Sequence, residues 1–171
     1  MIELIVLDVD GTLTDGKIIY TSSDDKINNI QESKAFDVKD GLAIASWTKK
    51  FDKKAAIITG RKSELVKRRA KELGITHLYQ GVDNKDDLIE KIIKDEGFTW
   101  DQVACIGDDL NDFKMLSKAG ISFSVNDAVD DIKDLVDVVC KKDGGCGAVR
   151  EMIEYILAKD YDGKDLKSLW V

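Results

Sequence analysis

Short runs of aliphatic residues alternate along this chain with amphipathic stretches, and each run hands over to polar residues at its carboxyl end. Glu3 to Val9 is built of Ile, Val and Leu and finishes in acidic residues. Lys54 to Thr59 and Gln102 to Gly107 repeat the form, and Ile121 to Val125 and Asp137 to Cys140 add two more. Runs of this kind suit strands buried on both faces of a parallel sheet. Between them, Leu65, Val66, Ala70 and Leu73 recur at helical spacing ahead of Gly74. Leu88, Ile89, Ile92 and Ile93 do so ahead of Gly97, and Met115, Leu116 and Ala119 ahead of Gly120. A glycine just past the last apolar position is a helix stop. The alternation predicts an α/β fold, a doubly wound parallel sheet of Rossmann-like form. At 171 residues, with no repeat and no low-complexity linker, a single domain over 1–171 accounts for the sequence.

One segment breaks the rhythm. Lys17 to Phe36 contains Ile18-Ile19-Tyr20, a polar turn Ser22-Ser23-Asp24-Asp25, and a second arm from Ile27 to Phe36. It reads as a β-hairpin inserted between the first strand and a first helix that begins near Val38, too short to be a domain. An apolar hairpin needs a cover, and another subunit is a natural one. Beyond Asp160, the tail to Val171 carries Leu166, Leu169 and Trp170, which could dock on a neighbour or fray.

The net charge of -7 argues against a nucleic-acid partner. The opening residues lack a basic region, and no apolar stretch is long enough to span a bilayer, so neither a signal peptide nor a membrane partner is expected. Cys105, Cys140 and Cys146 are odd in number and lack zinc-ligand spacing. They read as reduced thiols of a cytoplasmic protein.

In open α/β sheets the ligand site lies beyond the carboxyl ends of the strands. The polar residues there form a set: Asp8-Val9-Asp10-Gly11-Thr12, Thr59-Gly60-Arg61, Lys85 at a helix start after a short strand His77 to Gln80, and Gly107-Asp108-Asp109 with Asn111 and Asp112. Each residue type suits phosphoryl transfer. A carboxylate such as Asp8 can attack phosphorus and split hydrolysis into two steps. Asp10 can then protonate the leaving alkoxide and later take a proton from water. Mg2+ prefers a few carboxylates plus water and substrate oxygens, which Asp8, Asp108 and the Asp10 carbonyl can supply. Thr59 and Lys85 can bind the transferring group. Taken singly, each feature has a plain alternative: an acidic turn, an N-cap pair at Asp108-Asp109, an ordinary strand exit, a solvated lysine. All four in order, each at a strand's carboxyl end, are much harder to obtain by chance.

These four signatures resemble those of the haloacid dehalogenase superfamily of phosphotransferases over essentially the whole chain. The resemblance implies Asp8 as nucleophile, Asp10 as general acid and base, Thr59 and Lys85 as phosphoryl binders and Asp108 as metal ligand. It implies supporting roles for Asp109 and Asp112, in an outer shell or in positioning Lys85. No large cap is inserted after the first motif or between the second and third. Phe36 to Gly41, Ile58 to Lys62, His77 to Gly81 and Gly144 to Glu151 are similar to the cap-less branch that hydrolyses 3-deoxy-D-manno-octulosonate 8-phosphate in lipopolysaccharide precursor synthesis. That branch implies a homotetramer with central hairpins, a neighbour helping to close each site. Arg61, beside Gly60, stands where relatives acting on a nine-carbon sugar acid carry Glu, and its fork matches a substrate carboxylate. Asp40 and Gly41 are further pocket candidates.

Alternatives stay open from the residues alone. One is a phosphatase for a nine-carbon 2-keto-3-deoxy sugar 9-phosphate. Another is a phospho-accepting receiver domain, against which Asp10 argues, and a third is a non-catalytic oligomerisation domain. Gly144 to Gly147 reads as a tight turn near the site mouth, Arg150 as substrate-binding or structural, Lys39 as a solvated helix start, and His77 as structural.

Overall fold

The computed structural model describes residues 1–22, 30–160 and 167–169. The chain opens with β1 (Leu4–Leu7), then an antiparallel hairpin of β2 (Ile19–Ser22) and β3 (Ile30–Ser33). There follow α1 (Val38–Lys49), β4 (Lys54–Thr59), α2 (Glu64–Leu73), β5 (His77–Gln80) and α3 (Lys85–Glu96). The second half runs β6 (Val103–Gly107), α4 (Phe113–Lys118), β7 (Ile121–Ser124), α5 (Asp130–Leu135), β8 (Val138–Val139) and α6 (Ala148–Asp160).

Six strands form one parallel sheet in the order β5-β4-β1-β6-β7-β8. The chain winds outward from β1 through β4 to β5, crosses back, and winds the other way from β6. β1 is therefore where the winding reverses. All four of its residues are fully buried, as a strand covered by helices on both faces requires. α1 packs on α6 and α2, while α4 packs between α3 and α5. Trp47 of α1 is the largest buried side chain, and its indole N–H donates to the Lys54 carbonyl at 2.8 Å. Burying that ring without a partner for its N–H would cost free energy.

Strand β4 spans its apolar run, and β5 matches the short strand expected over His77 to Gln80. β1 is shorter than its run: beyond Leu7 the Val9 carbonyl accepts from Thr12 N at 3.2 Å and Thr14 N at 3.0 Å, so the chain curls into a turn. α5 was not legible, having a single buried residue, Ile132. The hairpin turn from Ser23 to Asp25 and the tail residues Leu166 and Trp170 lie outside the described residues, as does the side chain of Leu169.

Candidate active site

The turn after β1 carries Asp8 and Asp10 to the carboxyl edge of the sheet, between the ends of β4 and β6. Lys85, at the first position of α3, reaches across to them. Its ammonium donates to Asp8 Oδ1 at 2.5 Å and to Asp112 Oδ1 at 2.6 Å, and it is only 2 % exposed. The other Asp112 oxygen accepts from Asp108 N at 3.0 Å. Asp112 thus fixes both the lysine and the turn that follows β6. Thr12 Oγ1 donates to Asp108 Oδ1 at 3.3 Å, tying that turn to the first one.

Asp8, Asp108 and Asp112 bring carboxylate oxygens within 4.8 Å of one another. Burial, then repulsion from neighbouring carboxylates, pushes the Asp8 and Asp108 carboxyls above the ordinary range even with Lys85 present. Burial alone would lower the Lys85 ammonium, but the charges of Asp8 and Asp112 outweigh it and hold it above its usual value. Crowded oxygens that resist ionisation when only one lysine offsets them are a donor set for a hard divalent cation. Asp112 is already committed to Lys85 and to a backbone N–H. Asp8 and Asp108 are the pair left to hold such an ion.

Two glycines allow the turns to meet. Gly11 has φ +102, and a Cβ there would collide with the Asp108 carboxylate. Gly144 lies against the Gly11 carbonyl, where any side chain would overlap it, and Gly145 N donates to Thr12 O at 2.9 Å. Gly144 and Gly145 thus floor the first motif with backbone alone.

Thr59 ends β4 buried, with its hydroxyl accepting from Arg61 N at 3.4 Å. Gly60 is exposed beside it, with the Val82 carbonyl 3.7 Å from where a Cβ would stand. Arg61 faces the hairpin: its Nη2 donates to Glu32 Oε1 at 2.8 Å and its Nε lies 3.9 Å from Asp10 Oδ2. Lys34, just past β3, pairs with Asp10 Oδ1 and lies 3.6 Å from Glu32 Oε1. Neither Glu32 nor Lys34 was found from the sequence, where Glu-Ser-Lys reads as the polar end of a hairpin. A chain with net charge -7 thus gathers Lys34, Arg61 and Lys85 around one cleft.

Two pocket candidates already have packing contacts. Asp40 is buried and its Oδ1 accepts from Arg150 N at 2.8 Å, capping the start of α6, while burial pushes its carboxyl up to about 6. Gly41 is buried beneath Arg69, whose guanidinium fills the space of its missing side chain. Both contacts are made from α1. Asp109 caps the short turn 110–112, its Oδ1 accepting from Leu110 N at 2.7 Å. Arg150 pairs with Glu154 at 2.8 Å and His77 with Glu96 at 2.8 Å. Lys39 is exposed, as expected of a helix start. The three thiols are unbridged, Cys105 and Cys140 buried and Cys146 exposed.

A family model described as haloacid dehalogenase-like hydrolase matches residues 20–153. The chain belongs to that family of hydrolases. Within it, the chain is 44% identical over 160 residues to the 3-deoxy-D-manno-octulosonate 8-phosphate phosphatase KdsC of Escherichia coli K12, covering 91% of this chain and 79% of the relative. The KdsC of Yersinia pestis is 41% identical over 157 residues, covering 91% and 80%. Among solved structures, the 3-deoxy-D-manno-octulosonate 8-phosphate phosphatase of Moraxella catarrhalis superposes with a TM-score of 0.86 at 43% identity, covering 94% of this chain and 90% of that one. That protein was crystallised with a magnesium ion, a phosphate ion and 3-deoxy-D-manno-octulosonate.

Proposed function

We propose that this protein is a Mg2+-dependent phosphomonoester hydrolase that converts 3-deoxy-D-manno-octulosonate 8-phosphate to the free sugar acid and phosphate. The observation that carries the reading is the Asp8–Lys85–Asp112–Asp108 constellation at the reversal point of the sheet. The relatives' shared activity supplies the substrate. Asp8 and Asp108, with the Asp10 carbonyl, would hold Mg2+, which when bound offsets charge on the phosphoryl oxygens.

The residues then divide the work. An Asp8 carboxylate oxygen attacks phosphorus as the bond to the sugar oxygen breaks, and that oxygen leaves with the bonding pair. Asp10 gives it a proton. In the second half a water attacks the same phosphorus, Asp10 takes a proton from it, and the aspartyl bond breaks to restore the Asp8 carboxylate and release phosphate. The Thr59 hydroxyl and the Lys85 ammonium donate to the equatorial oxygens, where charge spreads in the transition state. Arg61, with Gly60 open beside it, suits the substrate carboxylate.

The test is phosphate release from the eight-carbon substrate, its nine-carbon analogue and a panel of common sugar phosphates, with Mg2+ and with chelator. A strong preference for the eight-carbon compound and silence in chelator are expected. Preference for the nine-carbon compound would overturn the substrate, and full activity in chelator the metal.

The chain 1–171 is read as one domain in a homotetramer built around the hairpin. In support, Ile19, Tyr20 and Ile30 stand 49, 62 and 54 % exposed, a concentration of apolar surface that a neighbour would cover. Light scattering at micromolar concentration should give four times the 19.0 kDa chain mass, and a monomeric mass would refute the assembly. The unbridged thiols fit a cytoplasmic setting, and no helix among the described residues is long and apolar enough to cross a membrane.

A further inference from the structure

Four charges alternate at the mouth of the cleft: Asp10, Lys34, Glu32 and Arg61. Lys34 bonds Asp10 Oδ1, Glu32 lies 3.6 Å from Lys34 and 2.8 Å from Arg61, and Arg61 Nε closes the ring 3.9 Å from Asp10 Oδ2. Two members come from the hairpin and two from the motif turns, so the ring joins elements that share no sheet. The Lys34 side chain is 2 % exposed, which is uncommon for lysine and sustained only by pairing. The Arg61–Glu32 hydrogen bond also holds the Glu32 carboxyl below its ordinary range, so Glu32 stays an anion between its two cations.

Asp10 is only partly buried, and its carboxylate direction is set by its partners rather than by the core. A proton donor must be aimed at the leaving oxygen, and a misplacement of about 1 Å costs on the order of 10²-fold in rate. We propose that Lys34 is a positioning residue that aims Asp10 for proton transfer, with Glu32 anchoring Lys34 and Arg61 in the same ring. This rests on the reading of Asp10 as general acid and base. It makes the hairpin part of its own subunit's active site.

The test compares Lys34→Met, which keeps the length and removes the charge, with Lys34→Arg. A sugar alkoxide needs a proton to leave, whereas the phenolate of 4-nitrophenyl phosphate leaves without one. With the sugar phosphate, Lys34→Met should lose about 10²-fold in kcat with little change in KM. With the aryl ester, it should keep a normal burst of nitrophenolate and slow only in the turnover that follows. Lys34→Arg should restore much of the sugar-phosphate rate. Equal losses on burst and turnover, or no loss at all, would overturn the inference. A crystal structure of Lys34→Met with the Asp10 carboxylate unmoved would overturn it too, whatever either substrate does. An inactive wild-type enzyme would instead count against the catalytic reading of the site.

Discussion

Asp8→Asn is expected to abolish phosphate release while leaving the protein folded. The amide matches the carboxylate in size, and its oxygen can still accept from Lys85, so the buried contact at 2.5 Å is largely kept. It also removes one of the crowded anions whose ionisation burial and Asp112 oppose. What it lacks is a nucleophile. Phosphate monoesters need acceleration of up to ~10²¹-fold over water, and removal of the attacking group forfeits the two-step route. Phosphate release should fall by at least ~10⁴-fold, with the unfolding midpoint unchanged or raised. Activity within about tenfold of wild type would mean that another group attacks phosphorus.

Lys85→Met is expected to cost stability as well as rate. Its ammonium pairs with both Asp8 and Asp112, each buried. Taking one partner from a buried ion pair leaves uncompensated charge and typically costs about 3–5 kcal/mol. The cost should be largest in chelator and partly recovered with Mg2+, because a divalent cation between Asp8 and Asp108 offsets some of the exposed repulsion. Denaturant unfolding in both conditions reads this directly. A midpoint unchanged in chelator would show that the carboxylates simply protonate, and that the lysine does not hold the site together.

Much of this was legible in the sequence because the signal was local. Buried strands announce themselves as apolar runs, which is why the runs Lys54 to Thr59 and Gln102 to Gly107 hold β4 and β6. Asp8, Thr59, Lys85 and Asp108 were legible because strand ends in such a sheet converge on one edge. The turn glycines were legible as breaks, although only the fold reveals that Gly144 exists to clear the Gly11 carbonyl. The capping of α6 by Asp40 was not legible, because it depends on a helix 110 residues away in sequence. Lys34 and Glu32 were invisible for the converse reason. Nothing in a polar hairpin end says that it will fold back over the first motif and bury a lysine.

The pairing of β1 has a consequence for how the chain is made. Leu4 pairs with Lys54 on one side and with Val103 on the other, and the turn that follows β1 rests on Gly144 near the far end. β1 is thus completed late, since its second edge waits for β6 and its floor for the segment before α6. Contacts this distant in sequence are slow to form, because loop closure must come before any reward from pairing. A growing chain therefore carries Asp8 for a long stretch of synthesis without the carboxylates and backbone that surround it when folded. The turn that holds Asp8 gains its floor only after the segment at Gly144 has been made.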